Sequence, residues 1–149
     1  MAASDAAQLA DSFDLVVLLI GVNNQFQGRS EDEYRRQFAL LLKKSIELAR
    51  GNVGHVVVLS IPDWSVMPFG QQYDVKRVSG QIDEFNAICR QETAKAGAGF
   101  VDVCPVSREA TSRPDFVAED GLHPSGVQYA RWVNLSIPAV QRAIGVAMP

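Results

Sequence analysis

The residues best suited to chemistry lie in the pentapeptide Asp120-Gly121-Leu122-His123-Pro124. His123 is one of only two histidines, and Asp120 precedes it by three residues on a loop that leads into a predicted helix. A carboxylate at this spacing can accept a hydrogen bond from one imidazole nitrogen and fix the tautomer, so that the other nitrogen faces a substrate or nucleophile. The pentapeptide therefore predicts an acid–base pair. The alternative is an ordinary Asp-Gly turn that leads to a helix cap at Ser125.

The motif Gly21-Val22-Asn23-Asn24 directly follows a hydrophobic run and offers a second chemical function. Glycine allows the chain to turn sharply here. The side-chain amide of Asn23 can donate a hydrogen bond to a negative oxygen that develops on a substrate carbonyl. The motif predicts an oxyanion donor at Asn23, with Asn24 as a tentative substrate-binding residue. The alternative is a polar turn after a strand, which is common.

Trp64, Met67 and Phe69 follow the second hydrophobic run of the chain. They can line a substrate pocket, with Trp64 as a tentative substrate-binding residue, or they can pack over a sheet. His55, the other histidine, follows Gly54 at the start of that run and has no acidic neighbour nearby. We therefore expect an edge or capping role for His55 and leave it out of the site.

Three short runs rich in Val, Ile and Leu are predicted to be strands, at residues 15–20, 55–61 and 100–104. Segments with helical periodicity separate them, which gives a βαβαβ order. Nearly continuous hydrophobic strands indicate a parallel sheet that helices cover on both faces. Such sheets bind ligands at the carboxyl ends of their strands, where all the candidate residues above are expected to lie.

The predicted helices carry recognisable start signals. Ser30 with Glu33, and Ser125 with Gln128, are capping boxes, in which side chains satisfy free backbone groups of the first turn. The expected core-facing stripes are Tyr34, Phe38, Leu41, Leu42 and Ile46 in a helix ending at Gly51; Val78, Ile82, Phe85 and Cys89 in a helix ending at Gly97; and Ala130, Val133, Ile137, Val140 and Ile144 in a helix that Pro138 should kink.

Bulk composition narrows the class of protein. The 149 residues are 47% hydrophobic and 21% charged, which suits a single α/β domain over residues 1–149. The net charge of −3, without clustered Lys or Arg, argues against a nucleic-acid partner. The longest apolar run is far shorter than the roughly 20 residues of a membrane span, and the absence of a leader pattern makes a cytoplasmic location the default expectation.

Cofactor and metal signals are weak. Cys89 and Cys104 lack Cys-x-x-Cys spacing and are expected to be small buried residues, with no disulfide between them. The two histidines have no evident second ligand nearby, which argues against a metal, and no nucleotide-binding glycine loop is present. We therefore predict no cofactor.

Taken together, these motifs resemble the SGNH hydrolases, also called GDSL lipases or acylhydrolases. In that family a Gly-x-Asn-Asp follows a central strand and an Asp-x-x-His-Pro precedes the last helix. Here these motifs read as Gly21-Val22-Asn23-Asn24 and as the pentapeptide of residues 120–124, about 100 residues apart. The resemblance covers nearly the whole chain and implies a three-layer αβα, flavodoxin-like sandwich. It also implies hydrolysis of a small carboxylic ester through an acyl-enzyme, with Asn23 as oxyanion donor, His123 as general base and Asp120 as its orienting acid.

The sequence departs from the family pattern in several places. Asn24 stands where the family has Asp, and neither the Gly-Asp-Ser nucleophile motif nor the glycine of the second family motif has a counterpart. Ser12, in Ala10-Asp11-Ser12, precedes a strand and ends a predicted N-terminal helix through Ala7, Leu9 and Ala10. We therefore expect a family fold without its first strands, and a chain that is inactive by itself because it lacks the nucleophilic serine; the residue that would act as nucleophile is unknown. The uncovered strand edge predicts self-association.

Two alternatives remain open at this point. Ser65, on the same rim as Trp64, is a possible nucleophile within the chain. The chain can also be a non-catalytic α/β module whose rim binds a small ligand or whose strand edge docks a partner.

Overall fold

Three short parallel strands form the sheet of the computed structural model, which describes residues 12–145. They are β1 (Val16–Leu18), β2 (Val56–Leu59) and β3 (Gly99–Val101), in the spatial order β1-β2-β3. Val57 is paired with Val17 on one side and with Gly99 on the other. The predicted βαβαβ order and parallel sheet are confirmed.

Each strand is shorter than the hydrophobic run that predicted it, and the end of β2 shows why. Ile61 is fully buried, yet its backbone N–H and C=O bind the side chain of Asn86 at 2.7 and 2.9 Å. A side-chain amide thus replaces a neighbouring strand as the partner of a buried backbone. Hydrophobicity therefore continues beyond the point where strand pairing stops.

The helices begin largely where the capping signals place them. The Ser30 hydroxyl accepts a hydrogen bond from the N–H of Glu33, and the Ser125 hydroxyl accepts one from the N–H of Gln128. The α-helices are α1 (Val22–Phe26), α2 (Glu31–Leu48), α3 (Val75–Ala96), α4 (Cys104–Arg108) and α5 (Gly126–Ala143). Short 3₁₀ turns occupy Val53–His55, Trp64–Val66, Pro68–Gln72, Glu109–Thr111 and Pro114–Phe116.

Helices cover both faces of the sheet, so the three-layer αβα sandwich is confirmed. On one face α2 and α3 pack against β1 to β3, with Val56 and Val58 among the buried side chains. On the other face α5 packs against β2 and β3, with Leu59 and Val101 beside Trp132. The side chains that line the candidate site lie near the carboxyl ends of these strands or on α5.

The prediction for the buried side of α5 was wrong. Val133, Ile137 and Ile144 are 60%, 43% and 44% exposed, whereas Gln128, Trp132 and Ala139 face the core. The helix has apolar residues on two sides, and periodicity alone cannot tell which side meets the sheet. α5 continues through Pro138 to Ala143; the predicted kink stays a prediction.

Three other predictions concern the N-terminal segment, the cysteines and membrane-spanning helices. The predicted N-terminal helix through Ala7, Leu9 and Ala10 lies outside the described residues. Cys89 and Cys104 are buried free thiols, as expected, and burial raises the pKa of each to about 11. Among residues 12–145, no helix combines the length and apolar character needed to cross a membrane.

Candidate active site

The Asp120–His123 pair is assembled within one tight loop. Oδ1 of Asp120 accepts hydrogen bonds from the backbone N–H groups of Leu122 and His123, both at 2.9 Å. Oδ2 lies 2.5 Å from Nδ1 of His123. The loop closes on itself, because the N–H of Ala118 donates to the carbonyl of His123 and Gly121 takes a φ of 70°. The carboxylate is therefore fixed by three contacts and orients the imidazole.

These contacts also determine the charge of Asp120. The backbone N–H of His123, then that of Leu122, and then the imidazole lower the pKa of Asp120 to about 2. Asp120 is thus a carboxylate at neutral pH and can stabilise an imidazolium on its neighbour. Within residues 12–145, Nε2 of His123 has no hydrogen-bond partner and is free to act on a substrate or nucleophile.

Asn23 is positioned by a tight turn at the carboxyl end of β1. Gly21 has a φ of 123°, and a Cβ at this position would lie 2.6 Å from the ring of Tyr34. Tyr34 is fully buried, and its hydroxyl donates to the carbonyl of Ile20 at 3.3 Å. This ring and the absence of a side chain at Gly21 let the chain turn directly into α1. The turn leaves Asn23 exposed at the rim.

A cleft of about 290 Å³ joins these two features. Its walls come from the end of β1, from α1, from the loop after β2, from the Asp120–Pro124 loop and from the first turns of α5. The lining residues are Leu19, Val22, Asn23, Phe26, Pro62, Trp64, Met67, Phe69, Leu122, His123, Pro124, Tyr129 and Trp132. The structure therefore brings Asn23 and His123, which are distant in sequence, to one mostly apolar cleft.

The other sequence candidates fall into two groups. Trp64, Met67 and Phe69 all line the cleft and also pack into the core; a substrate-binding role for Trp64 stays a prediction. Asn24 does not line it; its amide donates to Oε1 of Gln37 at 2.7 Å and links α1 to α2. His55 lies beside the amino end of β2, away from the cleft.

Several residues that line the cleft were not predicted from the sequence. Phe26 follows Asn23 by three residues, which places the two on one side of α1. Tyr129 and Trp132 have the same spacing on α5, shortly after His123. In each case the spacing of three residues is visible in the sequence. It points to the cleft only once the positions of α1 and α5 are known.

Neither serine considered as a nucleophile reaches His123. Ser65 is fully buried, and its hydroxyl donates to Oδ1 of Asp63 at 2.6 Å. The Ser12 hydroxyl accepts from Nε of Arg50 at 2.9 Å and lies before β1. The alternative of Ser65 as a nucleophile is therefore wrong, because its hydroxyl is committed to a buried carboxylate outside the cleft.

Ser65 instead belongs to a buried network around Asp63. Oδ2 of Asp63 accepts hydrogen bonds from the Ser79 hydroxyl at 2.6 Å and from Nε of Arg108 at 2.8 Å. Burial raises the pKa of Asp63, but the hydrogen bonds from Ser65, Ser79 and Arg108 together outweigh it, so the pKa lies below its ordinary value. The network ties the loop after β2 to α3 and α4 and supports one wall of the cleft.

Solved structures share this fold over most of the chain. LAE5, an alpha/beta hydrolase enzyme from the metagenome of Lake Arreo, Spain, is 18% identical with a TM-score of 0.62, over 87% of this chain and 61% of that one. Axe2, an acetylxylan esterase from Geobacillus stearothermophilus, is 21% identical with a TM-score of 0.59, over 95% and 63%. A variant of Axe2 is 20% identical with a TM-score of 0.64, over 99% and 67%.

The chain spans about three fifths to two thirds of the length of these structures. No curated protein matches it significantly. The family model for the GDSL-like lipase/acylhydrolase family matches residues 2–131, which is most of the sequence and includes both motifs of the cleft. The chain therefore belongs to the GDSL-like lipase/acylhydrolase family.

Proposed function

We propose that this chain supplies the general base, its orienting acid and one oxyanion donor of a serine-type carboxylic ester hydrolase. The observation that carries the proposal is the 2.5 Å contact between Asp120 and His123 on the wall of a cleft that Asn23 also lines. Family membership supports ester hydrolysis as the reaction. The fixed geometry of the pair favours catalysis over simple ligand binding.

The proposed chemistry follows from these three side chains. Nε2 of His123 takes the proton from a serine hydroxyl as its oxygen forms a bond to the ester carbonyl carbon. The amide of Asn23 donates to the carbonyl oxygen as it becomes negative. The carbon–oxygen bond to the alcohol then breaks, and the alcohol leaves with the proton from His123. Water repeats the sequence on the acyl-enzyme and releases the acid.

The nucleophile is the part of the proposal that residues 12–145 do not supply. The hydroxyl of Ser65 points to Asp63, and Ser12 lies before β1. We therefore propose that the serine comes from another segment that carries Gly-Asp-Ser, and that the chain alone does not turn over esters. Such a serine must come within about 3 Å of Nε2 of His123.

Hydrolysis of p-nitrophenyl acetate tests the proposal in two forms of the protein. The chain alone should show no turnover above its own His123→Ala variant. The second form carries an N-terminal segment with Gly-Asp-Ser, from the in-frame codons upstream of Met1 or from a related esterase. This form should hydrolyse the ester, and His123→Ala or Ser→Ala in the added motif should abolish the reaction.

Matched asparagine variants test the oxyanion donor in the extended form. Asn23→Ala should lower kcat by about 10²- to 10³-fold, as loss of an oxyanion donor does elsewhere. Asn24→Ala is the control, because its amide binds Gln37 outside the cleft. Equal effects of the two variants, or full activity in His123→Ala, would contradict the assigned roles.

A further inference from the structure

Four aromatic side chains beside the cleft form a continuous cluster, which we call the aromatic wall: Phe26, Trp64, Phe69 and Tyr73. The ring of Trp64 contacts Phe26 and Tyr73 edge to face, at centroid distances of 5.4 and 5.2 Å. Phe69 completes the cluster at 5.7 Å from Tyr73 and 6.4 Å from Trp64. These distances are typical of favourable aromatic pairs, so the rings support one another in a fixed arrangement.

The wall has a fixed base and two open rings. Trp64 is 6% exposed, and its Nε1 donates to Oε1 of Gln25 at 2.8 Å. Phe26 and Tyr73 are 52% and 38% exposed. Exposed apolar surface next to a cleft is typical of a ligand-binding site.

The position of Phe26 relates the wall to the site. Asn23 and Phe26 are three residues apart on α1, so their Cβ atoms are about 5–6 Å apart on one side of the helix. A carbonyl group held by Asn23 therefore has the ring of Phe26 as its next neighbour along α1.

The side chains that hydrogen-bond to the wall are neutral amides, while the charged Asp74 directly follows Tyr73 and caps α3. Gln25 holds Trp64 and donates to Oε1 of Gln81 at 3.0 Å, while Nε2 of Gln72 donates to the carbonyl of Phe69 at 3.0 Å. Besides His123 and Tyr129, the residues of the described cleft lining are apolar or amide side chains. Open aromatic faces bordered by amides match a saccharide, which presents apolar C–H faces and hydroxyl edges. A long acyl chain would be matched instead by an enclosed aliphatic channel.

The rings of Phe26 and Tyr73 are 6.2 Å apart and tilted by 66°, so together they form a corner and not a flat surface. We propose that a sugar ring stacks on the open face of Phe26 in this corner, with Tyr73 at its edge, so that the alcohol part of the ester is a carbohydrate and the acyl part is small. The identification of an ester rests on the proposed function; the saccharide site itself rests on the aromatic wall. The description of Axe2 as an acetylxylan esterase supports the same class of substrate.

Saccharide binding can be measured without turnover. The chain is titrated with acetylated xylotriose while the indole N–H signals of Trp64 and Trp132 are followed by NMR, since these are the only tryptophans. The ligand should shift the signal of Trp64, which contacts both open rings. Phe26→Leu and Tyr73→Leu should each weaken binding about three- to tenfold, as loss of an aromatic contact does.

Phe13→Leu is the matched control, because Phe13 is as exposed as Tyr73 but precedes β1 at the far end of the sheet. It should bind the saccharide like the unsubstituted chain. A titration with hexanoate provides the competing ligand class. The proposal is overturned if hexanoate alone shifts Trp64, if neither ligand does, or if Phe13→Leu weakens binding as much as Phe26→Leu.

The outcome is separable from that of the proposed function. Ester turnover is measured in the extended form, whereas saccharide binding is measured in the chain alone, so the two results come from separate experiments. Saccharide binding by the chain, with no esterase activity in the extended form, would support the saccharide site and contradict the proposed reaction. Esterase activity without saccharide binding would do the reverse.

Discussion

Gly21→Ala should destabilise the protein more than an alanine at any other described glycine with a positive φ. A residue with a side chain is strained at a positive φ by roughly 1–2 kcal/mol. The new Cβ would also lie 2.6 Å from Cε2 of Tyr34. That ring is buried and stacked on Phe85 at 4.6 Å, so it cannot move aside easily. Overpacking of this kind costs about 1–3 kcal/mol more, which gives a total of about 2–5 kcal/mol.

Gly28→Ala is the control that isolates the clash. Gly28 also has a positive φ, of 68°, but a Cβ added there would meet nothing within 4 Å, so only the backbone strain applies. Urea unfolding followed by circular dichroism should show Gly21→Ala to be less stable than Gly28→Ala by about 1–3 kcal/mol. When each glycine variant is combined with Tyr34→Leu, the difference in stability should be smaller, because this substitution removes the ring carbon that the new Cβ would meet. Equal stabilities of the two glycine variants would refute the reasoning.

Three further expectations concern other contacts. In His123→Ala the pKa of Asp120 should stay below its ordinary value in a carboxyl ¹³C titration, because its largest cause, the backbone N–H of residue 123, remains; a return to the ordinary value would contradict this. Arg108→Met should lower the free energy of unfolding by roughly 2 kcal/mol at neutral pH, less than for a fully buried pair because Arg108 is 35% exposed. The pKa of Asp63 is lowered in the folded state, so the loss should shrink as the pH falls below about 4 and the carboxylate is protonated. Finally, we propose self-association through the open edge of β1; Val17→Lys should reduce it in sedimentation, and a clean monomer of the unsubstituted chain at high concentration would count against it.

Local signals in the sequence predicted most of the fold correctly. The caps at Ser30 and Ser125 depend on residues three positions apart, and the acid–base loop depends on five consecutive residues. Such contacts are encoded where they form. The parallel sheet also followed from local evidence, because buried strands separated by helices leave few other arrangements.

Features that depend on tertiary packing were harder to predict from the sequence. The predicted core-facing stripe of α5 is largely exposed, whereas Trp132, on another side of the helix, meets the sheet. Asn24 follows Asn23 directly, yet the turn of α1 sends its amide to Gln37. The aromatic wall joins α1 to the loop after β2, and no pattern within either segment predicts that Phe26 and Trp64 meet.

The self-contained loop at Asp120 has a consequence for how the cleft forms during folding. Closing a loop between Asp120 and His123 costs little chain entropy, because only two residues separate them. Bringing Asn23 to the same cleft requires the whole sheet, since about 100 residues intervene. Local opening that loosens β1 would therefore displace Asn23 while the contact between Asp120 and His123 stays formed. Hydrogen exchange should accordingly report the two halves of the cleft as separate units of stability.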